Sequence, residues 1–324
     1  MQVKYSVFLG NVGSCFDRYC AEYAPPFSLG ELFARAASIP QLEAVDLVMD
    51  TDMMSRRDEI VGHLAATGLK VGSLAVDTFA NPLYQKGSLS STDPAVRDRA
   101  IADAKAVMDF AAEIGCDIVT LWPGQDGYDY IFAADYIKER TLFAEGVEQL
   151  CRYRPEITVT LEYKLKEPRT HSYISTVGAT LLMIEKIGLP NLGIALDYGH
   201  AALGYETAAE AVAMCKMYGD RLKHIHINDN YRLWDDDMIV GSVHTLEYLE
   251  FFYWLKRTDY NGYLVIDQFP YREDGRAAVA ESAEWMDTLI ACAEQIDEAE
   301  AERVLAARDG VAASKFMRKV LFGK

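Results

Sequence analysis

Four apolar runs in this chain end in an ionisable residue. They are TVTLEYK at Glu162, GIALDYGH at Asp197, KHIHINDN at His226 and LVIDQF at Asp267. Such a run reads as a strand buried on both faces, and a charge at its end is costly unless something pairs with it. One such residue is ordinarily a salt bridge or a helix cap. Four on parallel strands of one sheet crowd the same space, where like charges repel unless a cation sits between them. Three carboxylates and one imidazole form a hard, oxygen-rich donor set. That set favours Mn²⁺, Mg²⁺ or Co²⁺ over a thiolate zinc site, and affinity alone does not choose among the three. A cluster neutralised by arginines is the competing reading.

The neighbours of these residues carry chemistry too. Lys164 lies two residues after Glu162 and shares its strand face. A lysine there can stabilise negative charge developing on a bound oxygen, or it can simply neutralise Glu162. His200, three after Asp197, can hydrogen-bond a substrate hydroxyl, orient a ligand or cap a helix. His224 and His226 share a face; His226, nearer the loop, is the better ligand, and His224 is expected behind it or in the core. Aromatic residues near strand ends, above all Trp122 and Trp234 and also Tyr128, Tyr130 and Phe269, can floor a small polar pocket. His171 is a loop histidine that can meet substrate or a neighbouring subunit.

Such an arrangement needs elements that aim strand ends at one place. Short apolar runs at 3–9, 44–49, 70–76, 117–122, 158–163, 192–196, 222–227 and 263–267 alternate with helical patterns at 29–38, 55–67, 94–114, 132–152, 176–187, 206–218, 245–257 and 276–295. Eight strands, each followed by a helix, predict a single (β/α)₈ barrel over residues 1–296, with its site at the C-terminal mouth. Asp93 before Pro94 reads as a helix start, and Gly68, Gly115 and Gly188 as helix ends. Residues 297–324 fall outside the pattern. They predict one or two further helices broken near Gly310, an extension that either packs on its own barrel or reaches a neighbouring subunit.

The 324 residues carry a net charge of −17, half of them apolar and a quarter charged. So acidic a surface repels nucleic acid and anionic membranes and makes a neutral sugar or polyol the easier ligand. No apolar run approaches the ~20 residues of a membrane span, and the first residues lack the layout of a signal peptide. Six scattered cysteines without CxxC spacing read as free thiols of a reducing cytoplasm, with Cys15 and Cys20 in the first loop of the mouth.

Several of these stretches resemble a known family. LEYKLKEPR resembles the ExKxxEPR segment of xylose isomerases, and LDYGH resembles the motif after strand 6 of xylose-isomerase-like barrels. HIHINDN, DDDMIVGS and IDQ are similar to the strand 7 to strand 8 region of L-rhamnose isomerases, and WPGQDGYDY to the strand 4 loop of the same superfamily. The resemblance spans about half of the chain, in order. It implies that Glu162, Asp197, His226 and Asp267 hold a divalent metal, that Lys164 stands beside the carbons exchanging a hydride, and that His200 binds substrate. It implies a second metal or a water at Asp235 and Asp237, although their spacing from His226 is one residue longer than in the rhamnose enzymes. The His-Asp pair with which xylose isomerases open a sugar ring has no counterpart.

The activity so implied is aldose–ketose isomerisation of a small sugar, by a homodimer or homotetramer. Ketose 3-epimerisation is the first rival. It needs two acid/base groups flanking one carbon, for which Glu162 and Asp267 are the candidates, and Arg232 matches a substrate-binding arginine of the epimerases. A lyase or dehydratase acting on an oxidised sugar or inositol is a further rival, and a sugar-binding barrel without catalysis is the alternative of another class.

Overall fold

The computed structural model describes residues 1–17, 19–21 and 23–323. Eight parallel strands form one sheet: β1 (Lys4–Val7), β2 (Ala44–Met49), β3 (Lys70–Val76), β4 (Ile118–Leu121), β5 (Thr158–Glu162), β6 (Leu192–Asp197), β7 (Leu222–Ile227) and β8 (Tyr263–Ile266). The order around the sheet is β1-β8-β7-β6-β5-β4-β3-β2. Parallel bridges Tyr5–Leu42 and Phe8–Asp46 bring β2 back to β1, so the sheet curls into a nearly closed TIM barrel. Helices follow the strands: α1 (Leu29–Ala37), α2 (Arg57–Thr67), α3 (Pro94–Ile114), α4 (Tyr136–Tyr153), α5 (Val177–Ile187), α6 (Ala208–Met217), α7 (Thr245–Arg257) and α8 (Gly275–Glu294). The (β/α)₈ architecture expected from the apolar periodicity is therefore present.

Local chemistry sets the element ends. Asp93 caps α3 through Ala95 N–H, ahead of Pro94. Gly68, Gly115 and Gly188 close α2, α3 and α5 in the left-handed region, where a side chain would be strained. Two expected helices start differently. The 55–67 pattern is preceded by a separate turn, Thr51–Ser55, because the backbone breaks at Arg56. The 132–152 pattern begins at Tyr136, where Asp135 accepts from Lys138 N–H.

The main core lies between the strands and the helix ring, where Phe33, Phe110, Phe143, Phe251 and Phe252 are fully buried. Inside the barrel the filling is different. Phe8, Ala75 and Val265 form a small apolar cluster there. Ser6, Asp46, Ser73, Thr120, Thr160 and His224, all fully buried, are joined by hydrogen bonds from strand to strand.

The extension consists of α9 (Glu298–Ala307) and α10 (Gly310–Phe322), separated at Arg308, whose φ is 51°. Lys324, the last residue of the expected segment, lies outside the described residues. Both helices lie on the chain's own barrel: Phe316, Val320 and Leu321 pack against the core, and Glu298 pairs with Lys256. Leu305, Val311 and Phe322 remain exposed. Among the described residues no helix is long and apolar enough to cross a membrane. Cys15, Cys116, Cys151 and Cys215 are buried thiols.

Candidate metal and sugar site

Strand register brings the four predicted residues together. Asp197 and His226 are directly paired across β6 and β7, and His226 lies level with Val265 on β8. Asp267 follows β8, its N–H donating to Ile227 O over 3.1 Å. Glu162 lies level with Ala195, two residues below Asp197, and the extra methylene of glutamate helps it reach the same level. Each of Glu162, Asp197, His226 and Asp267 offers one ligand atom, all within 4.8 Å of one another.

The cluster fits a divalent cation. Both ring nitrogens of fully buried His226 lack a hydrogen-bond partner, although Nδ1 stands 3.2 Å from Glu162 Oε1. Buried polar atoms are ordinarily satisfied, so an unpartnered imidazole among three carboxylates calls for a ligand. The electrostatics agree. Burial, with Asp197 and Glu162 adding to it, pushes Asp267 up to about 7. Burial also raises Asp197, reinforced by Asp235 and Glu162. Burial would lower His226, but Glu162, Asp267 and Asp197 outweigh it and raise it to about 10. Without an ion, a proton on the imidazole is the positive charge that three acids demand.

A second group of residues stands beside the cluster. Lys164 Nζ lies 2.6 Å from Asp235 Oδ2, 3.0 Å from Glu167 Oε2 and 5.2 Å from the centre of the Trp122 ring. His200 bridges the two groups, with Nδ1 3.3 Å from Glu162 Oε1 and Nε2 3.2 Å from Asp235 Oδ2. Burial opposes the Lys164 charge, but Asp235, Asp237 and Glu167 outweigh it and hold the ammonium well above its ordinary range. Asp235 is correspondingly low: Lys164 and His200 overcome the cost of its burial.

The other expected residues fall in different places. Asp235 Oδ2 meets both Lys164 and His200. Asp237 is raised well above its usual value by burial, with Asp235 and Asp267 adding to it. Arg232 pairs with Glu247 at 2.6 Å. Trp234 is half exposed on the loop after β7, whereas Trp122 lies under Lys164 and near His200. His171 stacks on Tyr128 at 4.5 Å in a two-residue ribbon, Gly127–Tyr128 against His171–Ser172, outside the cluster.

Two asparagines escaped the sequence reading. Asn228 Nδ2 donates to Asp197 Oδ2 over 3.1 Å, and Asn11 Nδ2 donates to Asp267 Oδ1 over 3.2 Å. Asn228 stands in the HIHINDN run, immediately after strand 7, which was its only signal. Asp197 also caps the short helix Tyr198–Leu203, accepting from His200 N–H over 2.8 Å. A Cβ on Gly199 in that helix would collide with Asn228 Oδ1. Gly199→Ala is therefore expected to push Asn228 off Asp197, destabilising the fold by about 1–3 kcal/mol and weakening Mn²⁺ binding. A thermal melt with a Mn²⁺ titration checks both; an unchanged affinity would show that Asn228 does not orient Asp197.

Residues 33–289 match the family model described as a xylose isomerase-like TIM barrel. The chain belongs to that family. Over 250 residues it is 30% identical to a xylose isomerase from Thermus thermophilus, a match covering 72% of this chain and 63% of that protein. It is 28% identical over 199 residues to a xylose isomerase from Sinorhizobium fredii, covering 58% and 46%. The chain thus matches less than two thirds of the length of these relatives. Among solved structures, D-psicose 3-epimerase from Clostridium cellulolyticum H10 superposes with a TM-score of 0.68 at 13% identity, covering 89% of this chain and 99% of that one. A 3-keto-D-glucoside 4-epimerase from E. coli gives 0.67 at 18% identity, covering 89% and 99%. At such identities these two likenesses speak for the fold alone.

Proposed function

We propose that this chain is a divalent-cation-dependent aldose–ketose isomerase that moves a hydride between adjacent carbons of a small, neutral, open-chain sugar. The observation that carries the reading is Lys164. Its ammonium is buried, clasped by Asp235 and Glu167, and held charged beside the four-residue cluster. A lysine kept charged is no base; it is a fixed positive charge for an oxygen that becomes negative.

Glu162, Asp197, His226 and Asp267 would hold the ion, with Mn²⁺ preferred and Mg²⁺ or Co²⁺ acceptable to the same donors. When bound, the ion supplies Lewis acidity, which polarises a carbonyl and acidifies the hydroxyl next to it. Lys164 supports charge on the carbonyl oxygen. His200, between Glu162 and Asp235, is placed to bond a substrate hydroxyl. Trp122 gives the sugar an apolar floor. A hydride shift asks for no carboxylate base at carbon, which suits acids engaged by a cation.

Ketose 3-epimerisation is the second reading. It draws support from Glu162 and Asp267, two carboxyls that approach a common centre from β5 and from the end of β8. Arg232, paired with Glu247, lends it none. Deuterium separates the two. A panel of neutral aldoses and ketoses incubated with Mn²⁺ in D₂O is expected to give isomerised product with almost no deuterium at carbon, read by NMR. Stoichiometric deuterium in the product would rule out the hydride shift in favour of proton transfer.

A further inference from the structure

Beneath the cation site, inside the barrel, lies a polar assembly that the proposed chemistry does not use. Asp46, fully buried on β2, accepts from Ser6 Oγ and from Ser73 Oγ, each over 2.5 Å, and lies 2.7 Å from His224 Nε2. Thr120 donates to Ser73 over 3.3 Å and meets Thr160 at 2.9 Å. Six strands thus contribute to a buried hydrogen-bonded layer, in a fold whose barrel interior is ordinarily filled by branched apolar side chains. A buried carboxylate fastened by three partners is expensive to build, and its geometry is fixed.

Space has been left for it. A Cβ on Gly72 would stand 2.5 Å from Asp46 Oδ1 and 3.2 Å from Ser6 Oγ. The carboxylate therefore occupies the volume that any other residue at position 72 would fill.

What the assembly holds is His224. Its Nε2 faces a carboxylate, which can only accept, so that nitrogen carries the proton. Its Nδ1 is buried with no partner, as are both ring nitrogens of His226. The two rings meet edge to face at 5.3 Å, and Phe8 meets the His226 ring in the same way at 4.9 Å. An oxygen of Asp46 and one ring nitrogen each from His224 and His226 lie within 4.8 Å of one another. All three are already committed: Asp46 to Ser6, Ser73 and His224, and His226 to the cluster above. The group is therefore a support for His226, not a second metal centre.

We infer that Asp46 and His224 are positioning residues: Asp46 locks the His224 ring, and His224 with Phe8 fixes the His226 ring for the cation. The inference rests on the proposed cation site. A ligating histidine works best when its orientation is set by groups behind it, and loss of such groups typically costs 10–100-fold in metal affinity. Here the support acts through a second imidazole instead of a direct carboxylate contact.

Mn²⁺ binding, followed by electron paramagnetic resonance on the intact chain, tests it. Asp46→Asn, His224→Gln and Gly72→Ala are compared with wild type and with Glu162→Gln, together with metal-free melting temperatures. The expected result is a Mn²⁺ Kd 10–100-fold weaker in all three variants, with a broadened bound-Mn²⁺ spectrum and a melting temperature that does not account for the loss. Gly72→Ala leaves every charge in place, so a weaker Kd there reports position alone. If Asp46→Asn fails to fold, the other two decide by the same criterion. Wild-type Kd and spectrum in folded variants overturn the inference, while loss of binding in Glu162→Gln keeps the cation site. No binding by wild type overturns both.

Discussion

Replacing Lys164 with methionine is expected to lower sugar turnover by about 10²–10³-fold, the usual cost of removing a charge-stabilising donor. KM should change little, because the interaction is strongest once charge has developed. The same substitution injures the fold. Lys164 and Asp235 are only 7% and 5% exposed in their side chains, and their charges face each other at 2.6 Å. Removing one partner of a buried pair costs up to about 3–5 kcal/mol, and Asp235 would keep only His200 beside its charge. Asp235→Asn in the Lys164→Met background removes that stranded charge and should recover most of the stability, read by urea unfolding. It should not recover turnover. Lys164→Met with turnover within tenfold of wild type would leave the lysine a structural counter-ion only. Recovered turnover in the double variant would mean that the Asp235 charge left behind, and not the loss of the lysine charge, had stopped the reaction.

The cycle also shows where sequence reasoning stops. The strand ends at Glu162, Asp197, His226 and Asp267 were legible because a charge closing an apolar run violates the expected pattern, and four violations in one barrel share one explanation. The β5 face shared by Glu162 and Lys164 follows from the two-residue period of a strand. The partner of Lys164 does not. Asp235 comes from the loop after β7, 71 positions along the numbering from Lys164, and only the way that loop folds over the end of β5 brings them together. The resemblance implied a second metal or a water at Asp235 and Asp237; the contact of Asp235 with the lysine was no part of it. Arg232 is similar: its separation from His226 matched a pattern, and that spacing gave no sign of its pairing with Glu247.

Asp46 was hidden for a different reason. It lies in the middle of AVDLVM, where an acid reads as a break in a strand, and its partner His224 is 178 residues away. Nothing local says that a serine on β1 and a serine on β3 will close on the same carboxylate. The helix boundaries, in contrast, rest on neighbours a few residues apart, so Asp93, Gly68, Gly115 and Gly188 were readable.

Adding and withdrawing a divalent cation should shift stability by an amount comparable to the loss of Lys164, and should reverse the sign of one substitution's effect. Wild type treated with a chelator holds Glu162, Asp197 and Asp267 together against their mutual repulsion. An ion that binds only the folded chain adds about 2.7 kcal/mol at 100 times its Kd and about 4.1 kcal/mol at 1,000 times. For a chain of this size that is a rise of roughly 4–6 °C in melting temperature on adding Mn²⁺. Asp267→Asn should behave in reverse. In the metal-free protein it removes an acid that burial and two neighbouring carboxylates already disfavour. Its amide oxygen can still accept from Asn11, so the chelated variant should melt at or above the chelated wild type. With Mn²⁺ the order inverts, because the variant has lost a charged ligand and gains little. Differential scanning fluorimetry of both proteins with and without Mn²⁺ reads the crossing. Parallel curves, or a wild type indifferent to Mn²⁺, would mean that these acids are reconciled by protons and hydrogen bonds alone, and the metal-dependent reading would fall.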